Sequence, residues 1–246
     1  MQIIPAFVTQ NKCYQAGAPL TPRGIMLHSV GTPQPSARAL VRYMDQYQPG
    51  GQSVCVHAVA QADGTVYQLL PWEMRGWHCG GSANSTHIGV EMTEPSAGMT
   101  RSEAAEQIAG TYRTVVELFA ELCKQYELDP AQDGVIIGHA EGHRRGVASN
   151  HADPELLWRT YDMGYTMDGF RRDVAEAMKN GAREEALDMP RYDSVAEMPQ
   201  WARADAQRLI DRGALQGNTD GKLDVSEDML RTMIVCQRML DEQKET

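Results

Sequence analysis

Gly24-Ile25-Met26-Leu27-His28-Ser29-Val30 is the stretch from which the fold of this chain is read. An apolar run that turns polar at a histidine reads as a buried strand running out into a loop. Downstream, Pro33-Gln34-Pro35-Ser36 opens a helix expected through about Tyr47, with Leu40, Val41 and Met44 on one face and Pro49-Gly50-Gly51 as its stop. Val54 to Ala60 and Thr65 to Leu70 read as two strands turning at Ala62-Asp63-Gly64, and Ile88 to Met92 as another. Ser102 begins a long helix that should end near Tyr126, with Glu103 and Glu106 at the positive end of its dipole. Gly134 to Gly138 is the last buried strand. A polar loop is expected from His139 to His151, then short helical pieces, the last from Met167 to about Asn180. Strands and helices intermingle, so the fold class is α/β, a central mixed β-sheet flanked by helices.

The C-terminal quarter reads differently. From Gly181 to Asp193 the pattern lapses into charged and turn residues, which predicts a linker. Residues 194–246 then carry two expected helices, about Gln200–Arg212 and Ser226–Leu240, around the turn-rich Gly217-Asn218-Thr219-Asp220-Gly221. The expected organisation is a first domain over 1–180, a linker over 181–193 and a small helical C-terminal element over 194–246. So short an element has little core of its own, so it should lean on the first domain or self-associate.

Composition excludes several functions. The chain has 246 residues and a net charge of −10, with no basic stripe, so no nucleic-acid partner is expected. No apolar stretch approaches the roughly 20 residues that span a bilayer, so no membrane insertion is expected. Met1-Gln2-Ile3-Ile4-Pro5 lacks the basic and apolar regions of a signal peptide, which predicts synthesis in the cytoplasm. Five cysteines without a CxxC argue against a disulfide framework and against an all-cysteine zinc site.

The histidines are the informative residues. His28, His57, His78, His87, His139, His143 and His151 all precede the last 95 residues, which hold none. His28 and His139 each stand at the end of an expected buried strand, where α/β sheets build sites. Asp153 follows His139 by fourteen residues, across a loop that can fold back. Two imidazoles and a carboxylate leave a fourth zinc position open for water, the catalytic pattern. Taken singly, each histidine reads first as a half-buried residue satisfied by its neighbours.

Six segments, in order, carry a resemblance. They are Gly24-Ile-Met-Leu-His28-Ser, His57-Ala-Val-Ala-Gln-Ala-Asp-Gly64-Thr-Val-Tyr-Gln68, Arg75-Gly-Trp77-His78-Cys-Gly80, Ile88-Gly-Val-Glu91, Ile137-Gly-His139 and His151-Ala-Asp153-Pro154. Over roughly 20–180 the chain resembles the zinc-dependent N-acetylmuramoyl-L-alanine amidases of type 2, a family that includes peptidoglycan-recognition proteins. The resemblance implies one zinc ion held by His28, His139 and Asp153, and Glu91 as the general base. It implies hydrolysis of the amide between N-acetylmuramic acid and L-alanine in bacterial peptidoglycan, in the manner of a phage or prophage endolysin released to the wall by a partner. The alternative is a non-catalytic peptidoglycan-binding protein of the same fold.

Two departures stand out. His151 occupies a position where the family often has lysine, and an imidazole there can stabilise the oxyanion. The spacing from His139 to Asp153 is longer than in many members, which makes His143 a rival ligand. His139 is preferred because it directly follows a buried strand. His57, Trp77, His78, Asn84 and Arg144 are the expected substrate-binding residues. In the tail, Met198-Pro-Gln-Trp201-Ala, Leu209-Ile210-Asp-Arg-Gly213, Asp220-Gly221-Lys-Leu223 and Arg231 resemble one S-layer-homology-type repeat, a wall-anchoring module. The plainer reading is a two-helix element with Leu230, Met233, Ile234 and Met239 as its core, forming a homo-oligomer.

Overall fold

The computed structural model describes residues 1–46, 54–188 and 190–242. The expected helix end at Tyr47 and the Pro49-Gly50-Gly51 stop lie outside them. The chain divides into two compact units, Met1–Asn180 and Gly181–Thr246.

The first unit is built on six strands: β1 (Gln2–Pro5), β2 (Gly24–Ser29), β3 (Ala58–Ala60), β4 (Thr65–Gln68), β5 (His87–Met92) and β6 (Ile136–Gly138). They lie in the order β1-β4-β3-β5-β2-β6. The β3–β4 hairpin is antiparallel and every other pair is parallel, so the sheet is mixed, as expected. Gly64, at φ 85°, makes the hairpin turn, and the Asp63 carboxylate accepts from the Thr65 N–H at 3.0 Å.

β2 is buried along its whole length, yet its two faces differ. Ile25 and Leu27, with Ile88 and Val90 of β5 and Ala58 and Ala60 of β3, face the larger core. That core is filled by α3 (Arg101–Gln125), α5 (Glu155–Thr160) and α6 (Met167–Asp188), through Leu118, Phe119, Trp158 and Phe170. The alternating residues Met26 and His28, with Gly89 and Glu91 across the ladder, face the other way. On that side α1 (Lys12–Ala16) and α2 (Ala37–Met44) bury Cys13, Leu40 and Met44 over Val59, Leu69 and Leu70.

Helix starts obey local chemistry. α3 begins one residue earlier than expected, at Arg101, because Thr100 is its cap: Thr100 accepts from the Glu103 N–H and the Glu103 carboxylate accepts from the Thr100 N–H at 2.8 Å. Ser36 caps α2 through the Ala39 N–H. The expected polar loop after β6 is instead helical at its start, α4 (His139–Arg144), because the chain turns directly from strand into helix at Gly138.

Regular structure also runs through the expected linker, 181–193. Helix α6 continues to Asp188, and Arg191–Tyr192 form β7, which pairs antiparallel with β8 (Val225–Ser226). The second unit adds α7 (Gln200–Asp211) and α8 (Glu227–Glu242). Met198, Ala202, Ala206, Leu209, Leu215, Val225, Leu230 and Ile234 form its own core. Met239, expected in that core, is exposed. Asp205 is buried there and accepts from Arg208 and from Arg238, the latter at 2.5 Å. Among the described residues no helix is long and apolar enough to cross a membrane.

Candidate metal centre

Parallel strands β5, β2 and β6 are neighbours in the sheet, so their carboxyl ends open side by side. His28 is the penultimate residue of β2, Glu91 the penultimate residue of β5, and His139 follows β6 directly. The register places His28 opposite Glu91. Asp153 arrives from the loop after α4. Its carbonyl accepts from the Ala140 N–H at 3.1 Å, and its carboxylate accepts from the Ser29 N–H at 3.4 Å.

Here three side chains converge. His28 Nδ1 lies 3.0 Å from His139 Nδ1 and 3.2 Å from Asp153 Oδ2, and His139 Nδ1 lies 3.5 Å from Asp153 Oδ1. Among the described residues these form a group that could hold a metal ion. The donor set fits. Tetrahedral ligands at zinc's usual bond lengths stand roughly 3.3 Å apart, and two nitrogens with one carboxylate oxygen suit that ion. Burial alone would raise Asp153, but the adjoining His139 and His28 outweigh it and hold the carboxyl well below the usual range. His28 is lowered by burial, partly offset by Asp153, so its neutral, metal-binding form is favoured.

Glu91 is half-buried beside this group. Its carboxyl is pushed well above the ordinary value, first by burial and then by the charges of Asp153 and Glu94. A carboxyl that readily holds a proton next to a metal site suits a group that takes and returns one. Glu91 lines a cavity of about 260 Å³ together with His28, Tyr43, His139, His151 and Asp153. His151 is exposed at the mouth. Its Nδ1 is 3.1 Å from Ser149 Oγ and its ring centroid 4.5 Å from that of His139.

The other expected site residues separate. Trp77 and His78 line an adjoining cavity of about 440 Å³ that also reaches His139 and His151. His78 is turned toward the metal group: its Nδ1 is 2.9 Å from His28 Nε2. Asn84 borders the same cavity but is buried, and its Oδ1 accepts from the N–H groups of His78 and Cys79 at 2.9 and 3.0 Å. It holds the chain behind the site.

His57 is a correction. It is fully buried, its Nε2 donates to the Met74 carbonyl at 2.7 Å, and its Nδ1 accepts from the Gly89 N–H at 2.9 Å. Both ring nitrogens serve the backbone, and burial lowers its pKa to about 4. Arg144 is largely exposed on α4, 3.8 Å from Glu155. His143, the rival ligand, is exposed on the same helix, and the converging group contains His139 in its place. Ser149 was missed by sequence reading. It is a common loop residue, and nothing local marks that it touches both His139 and His151.

A mixed sheet with such a group at the ends of its parallel strands offers a place where a metal ion could be held. Residues 18–156 match the family model described as N-acetylmuramoyl-L-alanine amidase, and the chain belongs to that family. Solved structures share the fold. Hydrolase AmiA of Staphylococcus aureus, solved with its ligand, superposes with a TM-score of 0.60 at 20% identity, covering 75% of this chain and 86% of that one. The catalytic domain of XlyA gives 0.52 at 22% identity over 71% of this chain and 99% of that one. A mutant endolysin from Bacillus subtilis gives 0.50 at 21%, over 71% and 99%. No curated protein matches the chain.

Proposed function

We propose that this chain hydrolyses the amide between the lactyl group of N-acetylmuramic acid and L-alanine in bacterial peptidoglycan, using one zinc ion. The observation that carries the reading is the convergence of His28, His139 and Asp153 at 3.0 to 3.5 Å beside the half-buried Glu91. It is supported by membership of the amidase family.

His28, His139 and Asp153 would hold the ion. When bound, zinc supplies an activated water and polarises the scissile carbonyl. Glu91 takes the proton of the attacking water and returns it to the leaving amine of L-alanine, which its raised proton affinity suits. His151, exposed at the mouth, donates from Nε2 to the carbonyl oxygen as that oxygen gains charge. The adjoining cavities along Trp77 and His78 on one side, and along Gly31, Glu94 and Tyr161 on the other, give the substrate a groove through the site.

The second unit is assigned attachment to the wall or self-association. Sedimentation of the full chain, and its co-pelleting with purified walls, separate these roles.

The test of the activity is mass analysis of products from purified bacterial walls, with and without chelator, for wild type and Glu91→Ala. Intact stem peptides should appear only with wild type and zinc. Retention on walls with no peptide release under any condition would sink the hydrolase and leave the binding-protein reading.

A further inference from the structure

Both proposed zinc histidines turn Nδ1 toward Asp153 and Nε2 away from it. The environment of the outward nitrogens decides which lone pair faces the metal. His28 Nε2 meets His78 Nδ1 at 2.9 Å, and His78 Nε2 meets the backbone carbonyl oxygen of His87 at 3.1 Å. A carbonyl oxygen can only accept, so His78 carries its proton on Nε2. A neutral imidazole has one N–H, so His78 Nδ1 is an acceptor. His28 must then donate from Nε2, and its Nδ1 is left as a lone pair.

The second histidine is treated alike. His139 Nε2 lies 3.3 Å from Ser149 Oγ, which lies 3.0 Å from the carbonyl oxygen of Cys79. The hydroxyl has one proton, and the carbonyl at 3.0 Å is a nearer acceptor for it than His151 Nδ1 at 3.1 Å or His139 Nε2 at 3.3 Å. The serine oxygen therefore accepts from His139 Nε2, and Nδ1 of His139 is also left as a lone pair.

Both chains of hydrogen bonds end on backbone carbonyls, and both run through neighbouring residues of one segment, His78 and Cys79. Asn84 Oδ1 anchors that segment through both N–H groups. Space for the relay ring comes from Gly89 of β5, where a Cβ would stand 2.4 Å from His78 Cγ.

We propose that His78 and Ser149 are positioning residues that set the tautomers of His28 and His139, so that two Nδ1 lone pairs and the Asp153 carboxylate point at one metal ion. This rests on the zinc reading given above. Outer partners of metal histidines commonly change metal affinity by roughly 10–100-fold when removed.

The test uses the full chain. Side-chain nitrogen NMR of the metal-free wild type at mildly alkaline pH reads each tautomer directly. Zinc affinity by competition with a chromophoric chelator is then compared for wild type, His78→Leu, His78→Asn and Ser149→Ala. His28 and His139 should both be Nε2–H in the wild type. His78→Leu and Ser149→Ala should weaken zinc by roughly 10–100-fold. His78→Asn, whose Oδ1 replaces the acceptor on the same stem, should recover most of the loss. Finding either ligand as Nδ1–H in the wild type overturns the proposal, and so do equal affinities across the variants. If His78→Leu fails to fold, the wild-type tautomers and Ser149→Ala still decide. A wild type with the expected tautomers that takes up no zinc would sink the zinc reading while leaving the hydrogen-bond relay established.

Discussion

His28 and Glu91 stand directly opposite each other in the parallel ladder between β2 and β5. Residues in register across a ladder point to the same face. The imidazole and the carboxyl proposed for metal and proton are thereby fixed by two central strands rather than by loops, with Asp153 brought to them from outside the sheet.

Glu91→Gln should lower kcat by roughly 10²- to 10⁴-fold, with zinc content unchanged. It should also raise the melting temperature of the metal-free protein at neutral pH. The sign follows from the raised carboxyl: burial and the nearby Asp153 and Glu94 disfavour its charge in the folded state, so stability falls as pH rises above the unfolded value. A neutral amide removes that penalty. Calorimetry of both proteins after chelation, and turnover on isolated walls, check the two halves.

His139→Ala should abolish tight zinc binding and His143→Ala should leave it intact. The first residue belongs to the converging group and the second is exposed on α4. Metal analysis of the two purified variants is sufficient, and the reverse pattern would reassign the ligand.

Acid should destabilise the fold through His57. Its folded pKa is depressed from 6.5 to about 4 by burial, so between these values the unfolded chain binds the extra proton. The stability is present above the unfolded pKa and is lost as pH falls toward the folded one, about 2 kcal/mol of it by pH 5. Urea unfolding at pH 7 and pH 5 should show a smaller pH-dependent loss in His57→Gln than in wild type. Equal losses would count against this residue as the source.

Gly81→Ala should destabilise by about 1–3 kcal/mol, the usual cost of overpacking. A Cβ there would stand 2.2 Å from the Val147 carbonyl oxygen, and backbone cannot step aside as a side-chain tip can. Val147 belongs to the loop that carries Ser149 and His151, so wall-lysis activity should fall together with the urea midpoint.

Much of the catalytic unit was legible because the signals are local. The apolar run of Gly24–Ser29 marks β2, Asp63-Gly64 marks the hairpin, and the strand-end histidines mark the edge of the sheet. Where reading failed, a local signal misled. The polar run after Gly138 suggested a loop, yet it opens with the helix His139–Arg144, and an exposed helix is rich in polar residues too. The paired β7 and β8 are two residues each, too short for a periodicity to register.

The histidines mark the limit of such reading. Sequence by itself determined that His28 and His139 end buried strands and that Asp153 lies within reach, because strand period and hydrophobic patterning act over a few residues. It could not tell His57 from His78. Tertiary structure decided that one is sealed between Met74 and Gly89 while the other touches His28. The deciding contacts join residues 111, 125 and 50 positions apart. Which side chains meet over such distances is set by strand order and loop closure, to which no local pattern of residues corresponds.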